Sequence, residues 1–535
     1  MRIAALAHGL NHARLSYGNR ESEITDITND SRRVSSGALY AALPGAHVDG
    51  NAFVPDAIAC GARAILTTEV PPKADPRLGW LTAREPRLAL SEISDRFYGS
   101  PSRELETIGV TGTDGKTSTV YFVHQLLAAL TGRSAFLSTA ALQVGPREEP
   151  NMLHQSTPEA PEVHRTLHAM LENGARYAVV ESTSHGLSMK TARLAHVRYR
   201  AAVYTNLSHE HLEFHGTFAR YRSDKANLFR ALDAGCFAEA PGNVSTEAAG
   251  NPPQQPLPAR TARRLALPIA EPFGVVNADD AHAGYFANAT DREVVTYALG
   301  TGADYTADRL ETGTTGSTFV LVTPSGSSHC TLPVPGRFNV ANALAAVAVV
   351  QGLLGAAAPE IAAALGRLRS VRGRMNVVVS EPFSVVVDYA HTPGSFEHIL
   401  PFFRSQCSGR LIVVFGSAGE RDVAKRPIQG RLADRYADLI ILTDEDPRGE
   451  DRMEILRQIA AGCRHRSEPG EIALVPDRRA AIARAFGAAR PGDTVLLLGK
   501  GHETSIIGAK ETVVWDEIAV AREELERIGI TAAER

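Results

Sequence analysis

The sequence predicts an α/β protein of three domains, in which a central doubly wound sheet carries a P-loop and the C-terminal domain is a second, Rossmann-like α/β unit. Its 535 residues exceed what one hydrophobic core normally supports. Short apolar runs of strand length alternate with helical segments in both regions. A glycine-rich turn near the start of the central region joins a strand to a helix. The expected domain boundaries are 1–100, 101–334 and 335–535.

The first domain is expected to be a small α/β unit. Apolar runs alternate with turn clusters over residues 24–68, and a Gly-Ser-Pro-Ser sequence at 99–102 interrupts this pattern. Within the second domain, residues 241–260 are rich in proline and poor in apolar side chains. We expect that stretch to be an exposed loop inserted in the domain.

Buried strands are expected where short apolar runs are bounded by turn residues. In the central domain these runs are 177–181, 201–206 and 273–277. In the C-terminal domain, helical segments at 427–436 and 453–463 alternate with expected strands at 385–388, 411–415, 439–443, 472–475 and 494–498. This rhythm is typical of a nucleotide-fold-like parallel sheet.

Composition excludes several classes of protein. No segment approaches ~18 uninterrupted apolar residues, so no membrane span is expected, and the N-terminus has no apolar signal segment. The cytoplasm is therefore the expected location. A monomer is the expected oligomeric state. A net charge of -4 spread along the chain argues against nucleic acid as a partner. The cysteines stand singly, in neither zinc-ligand nor disulfide spacing: Cys60, Cys236, Cys330, Cys407 and Cys463.

The glycine-rich turn reads Thr-Gly-Thr-Asp-Gly-Lys-Thr at 111–117, after an apolar run at 108–110 and before a helical pattern at 118–130. Backbone N–H groups of such a turn, together with the positive end of the helix, favour a nucleotide phosphate. Lys116 is expected to reach the outer phosphates and Thr117 to hold magnesium. The expected phosphate-binding residues are Gly112, Thr113, Asp114, Gly115, Lys116, Thr117 and Ser118.

Two further segments carry acidic and basic side chains after expected strands. Glu181 ends the run at 177–181, where it can either hold a metal beside the phosphates or cap a loop; the residues alone leave both interpretations open. The segment 205–216 contains three histidines and two carboxylates, of which His211 is the expected ligand. His209, Glu210 and His215 are expected to support it. By composition alone, Lys225 is a solvated surface lysine.

Together these motifs resemble the Mur ligases, the ATP-dependent amide-forming enzymes of peptidoglycan precursor assembly, and most of all the MurE type. TGTDGKT is similar to the family's TGTNGKT with Asp114 in place of the usual Asn, and ESTSHGL, TNLSHEHLEFHG and RSDKANLF follow in family order. The resemblance implies that Lys225 is carbamylated and bridges to magnesium. It also implies that Glu181 and His211 are magnesium ligands.

The resemblance further implies a binding site for a UDP-MurNAc-peptide. The segments at 30–33 and 43–50 resemble those that grip the UDP end, which makes Ser31 the uridine-site candidate. Ser156 and Thr157 resemble the residues that contact the muramoyl-peptide. Ser184 and Arg193 are further candidates, although the spacing of Arg193 from the preceding motif differs from the commoner family pattern.

On the nucleotide side, the sequence at 336–342 resembles the family's G-x-x-N-x-x-N motif, which makes Asn339 and Asn342 adenine-side candidates. Arg374 and Asp388 match positions that reach ATP from the last domain. If that domain contributes to a nucleotide held by the central one, binding must close the two together and exclude water.

The incoming amino acid is implied to bind Arg421, Gly499 and Glu503, with a specificity motif that reads Asp-Glu-Asp-Pro-Arg at 444–448. Enzymes that take meso-diaminopimelate usually read DNPR. Here Arg448 matches and suits a carboxylate, whereas Asp446 replaces Asn and suits an ammonium. Glu445 completes the motif. The two features conflict, so L-lysine, L-ornithine and meso-diaminopimelate all stay open.

The resemblance implies that ATP activates the D-glutamate γ-carboxylate of UDP-MurNAc-L-Ala-D-Glu as an acyl phosphate, which a free diamino acid then attacks. One alternative is a folylpolyglutamate synthetase-like ligase, although residues 24–68 argue for an extra first domain that such enzymes lack. A second alternative is a P-loop NTPase switch, which turns over ATP without an amino-acid acceptor. ATP and magnesium are the expected cofactors.

Overall fold

The computed structural model describes residues 1–45, 49–151, 155–208, 212–234, 255–257, 265–463 and 471–531. These residues form two units. The first comprises residues 1–307, 321–327 and 341–364, and the second comprises 308–320, 328–340 and 365–535.

The helices alternate with strands along most of the described chain. In chain order the α-helices are α1 Ile3–Ala7, α2 Val54–Ala59, α3 Pro86–Phe97, α4 Lys116–Thr131, α5 Ala160–Glu172, α6 Ser184–Leu187, α7 Leu212–His215, α8 Phe218–Ala234, α9 Ala283–Ala287, α10 Arg337–Leu354, α11 Ala358–Leu365, α12 Pro393–Gln406, α13 Lys425–Tyr436, α14 Arg452–Ala460, α15 Arg478–Ala488 and α16 Glu517–Arg527. Short 3₁₀ helices lie at Ser31–Arg33, Gly50–Phe53 and Pro101–Arg103.

The strands are short and mostly buried. They are β1 Arg14–Gly18, β2 Asp26–Thr28, β3 Ala38–Ala41, β4 Ala64–Thr67, β5 Gly79–Thr82, β6 Glu106–Thr111, β7 Ser134–Leu137, β8 Ala141–Gln143, β9 Glu148–Pro150, β10 Tyr177–Glu181, β11 Ala201–Tyr204, β12 Phe273–Asn277, β13 Glu293–Ala298, β14 Tyr305–Thr312, β15 Ser317–Thr323, β16 Gly326–Leu332, β17 Asn376–Val379, β18 Ser384–Asp388, β19 Leu411–Phe415, β20 Leu439–Leu442, β21 Ile472–Leu474, β22 Thr494–Leu498, β23 Ser505–Ile507 and β24 Thr512–Val514.

The N-terminal sheet has the strand order β1-β5-β4-β3-β2, with β1 antiparallel at one edge and the other pairs parallel. Successive side chains of a strand point to opposite faces. Leu39 and Ala41 accordingly pack with α1 and α3 on one face, whereas Tyr40 packs with Ile65 and Trp80 on the other. The predicted small α/β unit therefore has a core on each side of its sheet.

The central sheet has eleven strands in the order β16-β15-β14-β13-β12-β11-β6-β10-β7-β8-β9. The pairs from β7 through β10, β6, β11, β12 and β13 to β14 are parallel. Glu181 pairs with Val110, and Tyr204 pairs with Thr111, so β10, β6 and β11 end at the same edge. Loops that follow these three strands consequently meet at the carboxyl edge, where open α/β sheets bind ligands.

The sheet of the second unit has the order β17-β18-β22-β19-β20-β21, and every pair except β17 with β18 is parallel. Leu411, Val413 and Phe415 face one core, and Ile412 and Val414 face the other. Apolar side chains on both faces explain the continuous apolar runs of these strands. The prediction of a Rossmann-like C-terminal α/β domain is confirmed.

Four predicted strands coincide with the observed ones, at 177–181, 273–277, 411–415 and 494–498. The strand predicted at 201–206 ends at Tyr204, because the next residues turn into the phosphate-loop region. Strands β7 to β9 and β13 to β16 are present in addition to the predicted strands. Some of these strands are short or partly exposed, and in β9 every residue is exposed. The apolar pattern of these segments in the sequence is therefore weak.

Helix α10 is the one described helix that is long and apolar enough to cross a membrane by length and composition. The fold buries 72% of that helix, as expected for a core helix of a globular unit. Of the insertion predicted at 241–260, only residues 255–257 are described. Gln255 and Pro256 are exposed, whereas Leu257 packs partly on the central core. The rest of the insertion lies outside the described residues.

Candidate nucleotide and amino-acid sites

The phosphate loop at 112–118 depends on two glycines with positive φ. Gly112 has φ +147 and Gly115 has φ +80, a region that side-chain-bearing residues rarely adopt. A Cβ on Gly112 would lie 1.9 Å from Thr205 Oγ1, and one on Gly115 would lie 2.4 Å from Asn342 Oδ1. The loop therefore needs glycine both for its backbone conformation and for close packing.

The end of β11 holds the phosphate loop in place. Thr205 Oγ1 donates to the Asp114 carbonyl at 2.7 Å, and Asn206 Oδ1 accepts from the Asp114 N–H at 2.9 Å. The Thr113 N–H donates to the Asn206 carbonyl at 2.8 Å. These bonds use the backbone of Thr113 and Asp114 and do not involve the Asp114 carboxylate, so the replacement of Asn by Asp leaves them unchanged.

Helix α4 begins at Lys116, directly after Gly115, so the last three residues of the phosphate loop form the first turn of the helix. Its N-terminal N–H groups and dipole favour an anion at this point. The Lys116 ammonium donates to the Thr113 carbonyl at 2.6 Å, within the loop itself. Asn342 on α10 accepts from Thr119 Oγ1 at 3.3 Å and so lies beside the loop. Asn339, one turn earlier, donates to the Pro335 carbonyl at 2.7 Å.

Glu181 is buried at the carboxyl end of β10, with 2% of its surface exposed. One carboxylate oxygen accepts from Thr117 Oγ1 at 3.0 Å and from the Thr139 N–H at 2.9 Å, and the other accepts from Thr139 Oγ1 at 2.8 Å. The carboxylate thus anchors the loop after β7 and also touches the phosphate-loop threonine. A carboxylate beside a hydroxyl offers the hard oxygen ligands that Mg²⁺ prefers, so these residues fit the ion.

Lys225 on α8 is 2% exposed, so the interpretation of it as a surface lysine from composition is wrong. Its ammonium donates to the Gly112 carbonyl at 2.5 Å and lies 4.6 Å from the centre of the Tyr221 ring. His211, His209 and Glu210 lie outside the described residues. His215 is described and buried, and its Nδ1 lies 2.8 Å from a carboxylate oxygen of Asp224.

The candidates for the muramoyl-peptide surround the end of β10. Thr157 Oγ1 donates to the Glu181 carbonyl at 2.9 Å and accepts from the Thr183 N–H at 3.2 Å. Arg193 donates to the Thr157 carbonyl at 2.8 Å and pairs with Glu159 at 2.6 Å, so it supports this loop despite its unusual spacing. Ser184 is buried at the start of α6.

The two remaining candidates for binding the UDP-MurNAc-peptide are Ser156 and Ser31. Ser156 is half buried beside Thr157. Ser31 opens the 3₁₀ helix after β2, and the Asp30 side chain caps that helix by accepting from the Arg32 N–H.

In the second unit, a group of charged side chains meets between the loops after β20 and β22. We call it the Lys500 cluster, and its members are Glu445, Asp446, Lys500 and Glu503, together with Arg448, which is linked to them through the backbone of Ile507, whose N–H donates to Asp446. Lys500 is fully buried and its ammonium donates to Asp446 at 2.9 Å and to Glu503 at 2.5 Å. The carboxylate of Asp446 therefore already has a cation, so its presence in the motif does not by itself supply an unpaired negative charge for a substrate ammonium.

Two members of the Lys500 cluster keep buried polar atoms that make no hydrogen bond in the described structure, Glu445 Oε2 and Arg448 Nε. Arg448 has φ +51, and its N–H donates to the Ile507 carbonyl at 2.9 Å. Burial raises the pKa of Glu445, with the nearby Lys425 and Lys500 acting in the opposite direction. Buried polar groups without partners are costly, so they mark a place where a ligand can supply the missing bonds.

Tyr389 borders the Lys500 cluster. Its hydroxyl donates to Glu503 at 3.1 Å, and the Arg374 guanidinium lies 4.4 Å from its ring centre. Burial, reinforced by the charge of Glu503, raises the pKa of Tyr389. Burial lowers the pKa of the neighbouring His502 to about 3, so that its ring is neutral at pH 7. Asp388 accepts from the N–H groups of Met375 and Ala390 and thereby fixes the loop after β18.

Sequence reasoning missed Lys500 and Tyr389, because a lysine and a tyrosine carry no sign of their partners in the chain. The only available sign was that Lys500 lies between Gly499 and Glu503, both predicted site residues. A Cβ on Gly499 would lie 3.5 Å from the Glu445 carboxylate, so this glycine also adjoins the cluster. Arg421 has an exposed side chain in the loop after β19.

Family models match three successive parts of the chain. Residues 23–98 match the model described as the Mur ligase family catalytic domain, residues 110–241 and 261–350 match the Mur ligase middle domain, and residues 373–501 match the Mur ligase glutamate ligase domain.

The chain belongs to the Mur ligase family.

Its curated relatives include the UDP-N-acetylmuramyl-tripeptide synthetase of Roseiflexus sp. (strain RS-1), which is 44% identical over 514 residues and 95% of both chains. A second is the UDP-N-acetylmuramoyl-L-alanyl-D-glutamate--2,6-diaminopimelate ligase of Geobacillus kaustophilus (strain HTA426), 36% identical over 95% of this chain and 96% of that protein. The solved structure of a ligase of that same name superposes with a TM-score of 0.63 at 27% identity, over 99% of this chain and 100% of the other. This Mur ligase is thus an ATP-dependent acid–amino-acid ligase of the MurE type.

Proposed function

We propose that this Mur ligase joins a diamino acid, either L-lysine, L-ornithine or meso-diaminopimelate, to UDP-MurNAc-L-Ala-D-Glu. The names of its relatives support the substrate class. The observation that carries the proposal is the buried Glu181 carboxylate, which contacts Thr117 of the phosphate loop on the same sheet edge where Lys225 touches Gly112. A nucleotide phosphate, a metal ion and a transferring phosphoryl group can share such an edge.

In this proposal the three segments divide the substrates between them. Residues 1–100 bind the UDP end, with Ser31 at the uridine. Residues 101–334 bind ATP and the muramoyl-peptide, the latter through Ser156 and Thr157 with Ser184 and Arg193 beside them. Residues 335–535 bind the incoming amino acid through Arg421, Gly499 and the Lys500 cluster, while Asn339, Arg374 and Asp388 serve the nucleotide.

The reaction requires activation of a carboxylate, because carboxylate oxygen is a poor leaving group. The D-glutamate γ-carboxylate attacks the γ-phosphorus of ATP, ADP departs, and an acyl phosphate forms. The amine of the diamino acid then attacks the carbonyl carbon, loses a proton, and expels inorganic phosphate as the amide bond forms. No nucleophilic side chain is needed, so the protein contributes position and charge.

Lys116 contributes positive charge where the phosphoryl group gathers negative charge. Magnesium, when bound by Thr117, Glu181 and His211, neutralises phosphate oxygens and positions the nucleotide. Addition of carbon dioxide to the Lys225 amine releases a proton and gives a carbamate, which carries a negative charge in place of the ammonium. That anion would attract the metal that a plain ammonium repels.

The Lys500 cluster is the proposed binding and specificity site for the amino acid. The unpaired Arg448 Nε can donate to a substrate carboxylate, while Glu445 and Glu503 are the acceptors for an ammonium. Tyr389 and Lys500 act as positioning residues, because each holds Glu503 in place. The enzyme is proposed to work as a monomer in the cytoplasm, where nucleotide-linked precursors and ATP are available.

The decisive experiment gives the purified protein ATP, magnesium and UDP-MurNAc-L-Ala-D-Glu, and offers each diamino acid in turn. Phosphate release that needs both acceptor and amine, together with a product mass equal to the tripeptide, supports the proposal. Phosphate release without either substrate would instead indicate an NTPase. Product formed on a folate and not on the muramoyl-peptide would indicate a folylpolyglutamate synthetase-like enzyme. Lysine and ornithine differ by one methylene, worth only about 1 to 3 kcal/mol, so relative kcat/KM must be compared.

The carbamate has a separate test in Lys225→Ala. Formate or acetate can occupy the vacated space and supply the lost carboxylate, so we expect activity to fall by about 100-fold or more and to recover in part with these anions. Lys73→Ala, at an exposed lysine, is the control and should match the unmodified enzyme. Full activity of Lys225→Ala without added anion would remove this role.

A further inference from the structure

Two histidines and a glutamate meet in the first unit, apart from every residue of the nucleotide site. His12 lies in the loop between α1 and β1, Glu92 lies on α3, and His196 lies between α6 and β11. One ligand atom from each of these three residues lies within 4.8 Å of the other two. The His12 and His196 ring centroids are 5.6 Å apart, at 68° to each other.

The chemistry of this cluster fits a transition-metal ion. Two imidazoles and one carboxylate are a ligand set that suits zinc and similar divalent ions, with a fourth position left for water. Four-coordinate zinc, with bonds of about 2.0 to 2.1 Å, separates its ligand atoms by roughly 3.4 Å. The cluster therefore needs to contract by no more than about 1.5 Å, which rotation of the two histidine rings can provide.

The surroundings of each ligand also favour a metal. Glu92 is 7% exposed, and its Oε1 accepts from the N–H and side-chain amide of Asn11, while Oε2 accepts only the His12 N–H, at 2.9 Å. These bonds orient the carboxylate and leave a lone pair of Oε2 for another partner. His196 Nδ1 is buried and makes no hydrogen bond in the described structure.

We propose that His12, Glu92 and His196 form a binding site for one divalent transition-metal ion, with zinc as the expected occupant, which ties the N-terminal segment to the segment before β11. The ligands come from three places separated by about 80 and 100 residues in the chain. A metal that binds only the folded arrangement stabilises the fold by mass action. The ion thus stabilises the folded arrangement of these segments, and its site stands apart from the magnesium of the ligase reaction.

The test uses the full-length protein, first stripped with a chelator and kept free of nucleotide, with excess magnesium to cover the nucleotide site. Zinc is titrated in competition with a chromophoric chelator, and the Tm is measured with and without zinc. We expect one zinc per chain and a higher Tm in its presence. Substitution of Co²⁺ should give the visible absorption of a four-coordinate nitrogen and oxygen site.

His12→Gln and His196→Gln are each expected to weaken zinc binding by at least about 100-fold and to abolish the zinc-dependent rise in Tm. His8→Gln changes an exposed histidine four residues from His12 and is the matched control, which should bind like the unmodified protein. Failure of the unmodified protein to bind zinc would overturn the proposal. So would binding that survives both substitutions, because zinc would then be held elsewhere, as on the cysteines. If one variant fails to fold, the other decides the outcome.

Discussion

The phosphate loop and the Lys500 cluster differ in the groups that they offer to a ligand. The phosphate loop presents backbone groups and one helix end, and its backbone at Asp114 is held by the side chains of Thr205 and Asn206, which follow β11. The Lys500 cluster presents side-chain charges, and its single ammonium pairs with two carboxylates, those of Asp446 and Glu503.

The difference shows how each site achieves selectivity. A backbone cradle recognises any anion of phosphate shape, because every residue supplies the same N–H group. A cluster of paired charges discriminates by leaving particular atoms without partners, here Glu445 Oε2 and Arg448 Nε. A wrong ligand leaves those atoms unpaired, which carries a free-energy penalty. Under the proposed function, the phosphate loop is therefore general for phosphate-like anions, and the Lys500 cluster is specific for the amino acid.

The largest effect is expected for Lys116→Met. Loss of the ammonium removes charge stabilisation from the transferring phosphoryl group, so kcat/KM for ATP should fall by about 1000-fold or more. The KM for the diamino acid should change little. Steady-state phosphate release at varied ATP and varied amino acid measures both quantities. An equal change in the KM for ATP and in the KM for the diamino acid would contradict the distinction between the two sites.

Lys500→Met should have a smaller effect on catalysis than Lys116→Met. The effect should fall on the diamino acid and not on ATP. Asp446 and Glu503 lose their shared cation, so we expect the KM for the diamino acid to rise by about 10- to 100-fold while the KM for ATP stays constant. Removal of one partner from a buried ion pair also destabilises a protein, by about 3 to 5 kcal/mol, so urea unfolding is measured alongside. Lys510→Met alters an exposed lysine and serves as the control. A change confined to ATP would contradict the assignment of Lys500.

Gly115→Ala separates packing from backbone strain at the phosphate loop. The new Cβ would lie 2.4 Å from Asn342 Oδ1, at a φ of +80. We expect the KM for ATP to rise about 10-fold and the free energy of unfolding to fall by about 1 to 3 kcal/mol. Gly132→Ala, at the other end of α4, has φ +69 and nothing within 4 Å of the added Cβ. It should cost only the strain, about 1 kcal/mol, and leave ATP binding unchanged.

The smallest effect concerns pH, and it compares one histidine from each region. Burial lowers the pKa of His124 on α4 to about 4 and that of His502 to about 3, whereas both titrate near 6.5 when unfolded. The unfolded chain therefore binds more protons below pH 6.5. The stabilising contribution is complete above that pH and is lost as the pH falls toward the folded values.

Between pH 7 and pH 6 the loss should be under about 1 kcal/mol for each histidine. Amide hydrogen exchange of α4 and of residues 499–503 reports the two regions separately. His124→Gln should reduce the pH dependence of amide hydrogen exchange in α4 and leave that of residues 499–503 unchanged. If the variant leaves α4 as sensitive to pH as before, His124 is not the group responsible.

Features of this Mur ligase that are formed by consecutive residues could be predicted from the sequence. The run at 111–117 specified a phosphate loop, since strand, glycines, lysine and helix follow one another directly in the chain. Uninterrupted apolar runs specified the buried strands of the C-terminal sheet, because a strand covered on both faces needs no polar alternation. The family motifs fixed the class of enzyme.

The environment of each charged side chain became visible only in the folded protein. Composition made Lys225 a surface residue, and the fold buries it against Gly112. Asp446 reads as a free anion, yet Lys500, 54 residues later, neutralises it. Likewise, no pattern in the sequence indicates that His12 and His196 lie close together. The physical reason is that a charge or a ligand is defined by its partner, and partners distant in sequence become neighbours only when the strands and helices between them have packed.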